Sequence, residues 1–222
     1  MKTLAQFIFS LIIITMSCST VLASTLYEEG KDYVVLKPNS ATPYLHDDEK
    51  GRVKVVEFFS YGCPACFKLE PHLEKWLAHK PHHVYFERIP VMFQPDWMIY
   101  AKYYFALESL NLQKTSIHQA IFNAIQVQNL DLTQINTMES FLSGQGINQT
   151  HFIDAYHSPQ IDLDMVNAKK IATNAMVFQV PAIVIDGKYK VDPSLSGSNY
   201  GHLFKTVNHL VQLSFKEKNQ PK

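Results

Sequence analysis

Between Gly51 and Gly62 runs Val53-Lys54-Val55-Val56-Glu57-Phe58-Phe59, a segment so rich in β-branched and aromatic side chains that it reads as a buried central strand. Ser60-Tyr61-Gly62 ends it, and a helix must follow at once. Pro64 can occupy the first turn of that helix without losing a needed donor. Phe67, Leu69, Leu73, Trp76 and Leu77 then keep largely to one face. Pro71 lies inside the stretch and is expected to kink it, because it removes one backbone hydrogen bond. The next strand runs from Val84 to Ile89 and is closed by Pro90.

From Asp96 to Met176 the period becomes helical, with Ile99, Tyr103 and Leu107, then Ile117 and Ile121, and later Phe141, Phe152 and Tyr156. Thr137-Met138-Glu139 and Asn148-Gln149-Thr150 resemble capped helix starts, and Gly144 and Gly146 punctuate between them. The β signal returns at Val180-Pro181-Ala182-Ile183-Val184-Ile185, followed by Asp186-Gly187, a strong hairpin pair, and by Lys188 to Val191. A last amphipathic helix is expected from Ser198 to Phe215. The reading is an α/β chain in which an all-helical segment, 96–176, is inserted between the two parts of a strand-and-helix domain, 24–95 and 177–222.

The chain opens with Lys2, an apolar run from Leu4 through Met16 and small residues ending Val21-Leu22-Ala23. That is the pattern of a secretory signal peptide, 1–23, with cleavage after Ala23. The run is shorter than the ~20 apolar residues a spanning helix needs. A lipoprotein cut before Cys18 is the rival, but Thr15-Met16-Ser17-Cys18 lacks the Leu expected three residues before such a cysteine. The 20 Lys and Arg residues balance the 20 Asp and Glu residues, so no global field points toward nucleic acid or an acidic membrane. His82 and His83 follow Lys80-Pro81 without Cys or spaced ligands nearby and read as surface loop rather than a metal site. No metal or other cofactor is implied.

Of the 3 cysteines, Cys18 leaves with the signal and Cys63 and Cys66 remain. Their loop is too short to constrain the unfolded chain much, so reactivity is the better reason for the pair. A thiolate is the nucleophile of disulfide exchange, and Cys63 sits just before a helix, where unpaired amides and the positive end of the dipole favour an anionic sulfur. Cys66, one turn in, can bond to Cys63 or resolve a mixed disulfide. Cys63 is thus the entry nucleophile, expected to be offered to solvent, and Cys66 the resolving thiol. A structural disulfide or half of a metal site is the alternative use of such a pair.

Tyr27-Glu28-Glu29-Gly30-Lys31-Asp32-Tyr33, Glu57-Phe58-Phe59-Ser60-Tyr61-Gly62-Cys63-Pro64, Val180-Pro181-Ala182 and Asp186-Gly187-Lys188-Tyr189 resemble the DsbA family of bacterial periplasmic disulfide oxidases. The resemblance implies a thioredoxin fold with an inserted all-helical domain and a monomer in the periplasm. It also implies a Cys63–Cys66 disulfide donated to reduced or unfolded exported proteins and restored by a quinone-linked membrane oxidase of the DsbB type. Pro181 matches a proline that follows a cis peptide bond facing the disulfide, with Val180 offering its backbone to a substrate strand. Glu57 matches a buried acid behind the site that relays a proton to or from Cys66, and Pro64 and Ala65 tune the redox pair. Well-known members carry His where this chain has Ala65, which puts its oxidising strength in question. A disulfide isomerase or reductase, and a peptide-binding chaperone with secondary redox activity, are the competing functions. Only about 39 residues separate Ala23 from Cys63, too few for the dimerisation domain that such isomerases carry, which favours the oxidase.

Overall fold

The computed structural model describes residues 27–39, 42–47, 49, 51–112 and 115–220. The signal peptide, its cleavage site and Cys18 lie outside them. Among the described residues, strands β1 (Val34–Val35), β2 (Val53–Phe59), β3 (Val84–Pro90), β4 (Ala182–Ile185) and β5 (Tyr189–Val191) form one sheet in the order β1-β5-β4-β2-β3. β2 lies between β3, which is parallel to it, and β4, which is antiparallel. Covered on both faces and both edges, it leaves only Lys54 partly exposed, which is why its sequence is apolar almost throughout.

Side chains alternate across the sheet. Val53 and Val55 join a cluster with Leu69, Leu73 and Trp76 of α2 (Pro64–Leu77) and Leu203, Val207 and Leu210 of α8 (Tyr200–Asn219). Val56 and Phe58 belong to a second cluster with Tyr103, Leu107, Phe122 and Phe152. Those residues come from α3 (Pro95–Ser109), α4 (Thr115–Gln126) and α6 (Gln149–Tyr156), which with α5 (Ile135–Gly144) and α7 (Pro159–Asn174) separate β3 from β4 in the chain. A short α1 (Thr42–Leu45) precedes β2. This is a thioredoxin fold with a helical insertion.

Several details differ from the sequence reading. β1 and α1 were not expected, since two residues and four residues carry no readable period. β4 begins only after Pro181, whose missing N–H suits a loop better than a ladder. β5 begins at Tyr189 because Lys188 closes the turn, donating its N–H to the Ile185 carbonyl at 3.0 Å while Asp186 and Gly187 both take positive φ. Pro71 falls inside α2, which runs unbroken from Pro64 to Leu77. α5 starts at Ile135 rather than Thr137, behind Gln134, which makes no side-chain cap bond. Asn148 does cap α6, accepting the His151 N–H. α8 starts behind the cap Asn199 and runs to Asn219, past Phe215.

The strand directions decide where chemistry can occur. β2 and β3 end where antiparallel β4 begins, so the segments after β2, after β3 and before β4 meet at one edge of the sheet.

Candidate active site

Cys63 closes the segment after β2 and caps α2 with an extended backbone, φ −95° and ψ 110°. Its Sγ accepts the Cys66 N–H at 3.1 Å, the position a Ser or Asp oxygen takes in an ordinary cap. The Cys66 thiol, then the N–H groups of Cys66 and Ala65, hold the Cys63 thiol below its ordinary range, against burial and the Glu57 charge. Burial, and then the neighbouring Cys63 sulfur, push Cys66 well above that range. One sulfur is therefore favoured as an anion and the other as a thiol. Cys66 is fully buried, and Cys63 is only 4% exposed, less open than the sequence reading expected. The loop before β4 is the reason: the Val180 carbonyl lies 3.5 Å from Cys63 Sγ.

The Val180-Pro181 bond is cis, and the contact with Val180 brings that loop and the thiol pair together. Pro64 occupies the first turn of α2. Ala65 carries no hydrogen-bonding side chain of its own, but its carbonyl accepts the Tyr200 hydroxyl at 3.2 Å. Gly62 has no room for a side chain, since a Cβ there would stand 2.7 Å from Cδ1 of Trp97.

Glu57 points inward and is completely buried. Arg88, opposite it in the β2–β3 register, donates from Nε to Glu57 Oε2 at 2.9 Å. The same guanidinium reaches Glu70 at 3.3 Å and Glu74 at 3.2 Å. Burial is the main force raising Glu57, to about 8, and the Glu70 charge adds to it while Arg88 opposes both. Its Oε1 has no hydrogen-bond partner among the described residues. Glu70, raised by burial to about 7, faces His118 Nε2 at 3.3 Å, and His118 Nδ1 faces the Tyr61 hydroxyl at 2.9 Å. Burial drives the His118 pKa well down. A neutral ring fits both contacts when Nε2–H donates to Glu70 and Nδ1 accepts from Tyr61, a tautomer inferred from its partners. Among the described residues no three His, Cys, Asp or Glu side chains gather as metal ligands would.

Sequence reading missed Arg88, Glu70, His118, Tyr61 and Tyr200. Only Arg88 left a trace, as a charge inside an apolar strand two positions from its end. Phe178 is 73% exposed just before Val180, and Phe93 and Met98 are also exposed beyond β3.

Fold and dithiol together place the chain among the thiol:disulfide oxidoreductases of thioredoxin architecture. A family model described as Thioredoxin matches residues 41–202. The DsbA thiol:disulfide interchange protein of Pseudomonas aeruginosa is 35% identical over 186 residues, 84% of this chain and 85% of that one. The DsbA of Azotobacter vinelandii is 36% identical, over 82% of each chain. The crystal structure of Pseudomonas aeruginosa DsbA matches with a TM-score of 0.79 at 31% identity, over 87% of this chain and 97% of that one. That of DsbA from Xylella fastidiosa matches with a TM-score of 0.73 at 26% identity, over 86% and 98%. The chain belongs to the DsbA family of thiol:disulfide interchange proteins.

Proposed function

We propose that this oxidoreductase donates a Cys63–Cys66 disulfide to exported proteins in the periplasm. A substrate thiolate attacks Cys63 Sγ, the Cys63–Cys66 bond breaks, and Cys66 leaves with the electron pair and takes up a proton. A second thiolate of the substrate then attacks the substrate sulfur bonded to Cys63, forming the substrate disulfide, and Cys63 leaves with the electron pair. The substrate dithiol loses two electrons and two protons, and the Cys63/Cys66 pair gains them. A quinone-linked membrane oxidase of the DsbB type removes them again.

The observation that carries this reading is the asymmetry of the two sulfurs. A Cys63 favoured as thiolate is a good leaving group in the last step, and a buried Cys66 is kept from intermolecular exchange. Glu57, whose charge bears on both thiols and whose Oε1 has no hydrogen-bond partner among the described residues, is the proton relay for Cys66. Val180 and Pro181 form the substrate-binding edge, and the exposed Phe178, Phe93 and Met98 suit unfolded apolar segments. The working form is a monomer divided into 24–95 with 177–222 and the insertion 96–176, released from the signal 1–23. Among the described residues no helix is long and apolar enough to cross a membrane.

Trapping tests the roles. Incubated with a disulfide-bonded unfolded protein, reduced Cys66→Ser should accumulate a mixed disulfide through Cys63, while Cys63→Ser should accumulate none. Equal trapping by both variants would contradict the assignment. Ala65 supports a second reading, an isomerase or reductase, because a dithiol that is a weaker oxidant gives its electrons up more readily to a substrate disulfide. Binding of fully reduced chains by a variant lacking both thiols would favour the chaperone reading.

A further inference from the structure

We infer that Tyr200 is a positioning residue for the Cys63 thiolate, acting through the Ala65–Cys66 peptide group. The inference rests on the roles proposed above for the two sulfurs. The Tyr200 hydroxyl donates to the Ala65 carbonyl at 3.2 Å, and the Cys66 N–H donates to Cys63 Sγ at 3.1 Å. That carbonyl and that N–H are the two ends of one planar, conjugated amide. A donor on the oxygen draws electron density through the amide and makes its N–H the stronger donor, as in any hydrogen-bond chain. The gain is larger for a sulfur anion than for a thiol, because bonds to charged acceptors are the strong ones. The chain Tyr200 O–H, Ala65 C=O, Cys66 N–H, Cys63 Sγ therefore favours the thiolate selectively.

The geometry is held from outside the reactive loop. Tyr200 is the first residue of α8, fixed by the Asn199 cap, which accepts the His202 N–H at 3.0 Å. Leu203 and Phe204 next to it are buried in the core. The Tyr200 ring lies against His72 of α2, with ring centroids 5.2 Å apart. Burial and then the charges of Cys66 and Cys63 hold the phenol above its ordinary range, so it remains a protonated donor at neutral pH. The groups bearing on Cys63 are Cys66 from its own helix and Glu57 from β2, and those facing Tyr200 are His72 and the two thiols. Since the Ala65 side chain has no donor, α8 supplies one to the same stretch of backbone.

Tyr200→Phe in the full mature chain removes the hydroxyl and keeps the ring. Titrating the reduced protein by thiolate absorbance, with each thiol assigned by alkylation and mass spectrometry, should show about two- to threefold less Cys63 thiolate at any pH below its midpoint. The potential against glutathione should fall in step, a twofold change being about 9 mV for this two-electron couple. A fluorinated tyrosine at position 200, of the same shape but a stronger donor, should shift Cys63 the opposite way and keeps the test open if the Phe variant folds poorly. Unchanged Cys63 titration in a folded Tyr200→Phe protein, or a fluorotyrosine effect of the same sign, would overturn the inference. A parent protein in which Cys63 does not titrate below Cys66 would instead overturn the roles on which it rests.

Discussion

Cys63 and Cys66 share one chemistry and one helix turn, yet their surroundings make them opposite acids. Cys63 collects the donors of the α2 terminus, and Cys66 lies where burial penalises its anion. The side chain at position 65 is a methyl group and brings no charge to Cys63. Ala65→His should therefore lower the Cys63 pKa and raise the reduction potential by tens of millivolts. Each pKa unit is about 1.4 kcal/mol, or about 30 mV for two electrons. A potential unchanged or lowered against glutathione would show that other groups dominate the thiolate. At this scale the thiols were legible because a helix start and a short cysteine spacing are local signals. Arg88, Glu70 and His118 were not, because only folding brings β3, α2 and α4 around Glu57 and Tyr61.

The elements that position the site were read from periodicity, and the errors fall where periodicity is silent. β2, with its buried run, and the Asp186-Gly187 turn were plain, whereas β1 is a two-residue edge strand recognised only through its pairing with β5. α5 was read from a Thr–Glu pattern that the chain does not use as a cap. The contact between the end of β2 and the start of α3 was also invisible, although Gly62 is its condition. A methyl at Gly62 would stand 2.7 Å from Trp97 Cδ1 and 3.2 Å from Tyr100 Cε2. Gly62→Ala should destabilise the protein by about 1–3 kcal/mol, the usual cost of overpacking, and slow exchange by shifting the loop that carries Cys63. Denaturant unfolding measures the first effect. A variant as stable as the parent would mean that Trp97 swings away freely.

Across the whole molecule, the chain of contacts from Tyr61 through His118 and Glu70 to Arg88 joins α4 of the insertion to β2, α2 and β3. Glu57, behind the thiols, gives that network a pH dependence whose sign can be fixed. Its folded pKa of about 8 lies above its ordinary value of 4.5. The stability it contributes is therefore complete below that ordinary value and is lost as pH rises through the folded value. Glu57→Gln, which imitates the protonated form, does not undergo this loss. Unfolding free energies of variant and parent should thus diverge in the variant's favour between about pH 5 and pH 8. A constant or shrinking difference would mean that Arg88 keeps Glu57 ionised throughout.

The direction of electron flow also belongs to the whole molecule, since an oxidase is held oxidised by its partner and an isomerase must keep Cys63 free. Acid-quenched cells of the native organism, labelled with a thiol-reactive mass tag, report the state of Cys63 and Cys66 directly. Donation of a disulfide to exported proteins requires a pool that is mostly disulfide-bonded and that turns reduced when the membrane oxidase is removed. A pool mostly reduced, and unaltered by that removal, would contradict donation and favour the isomerase or reductase.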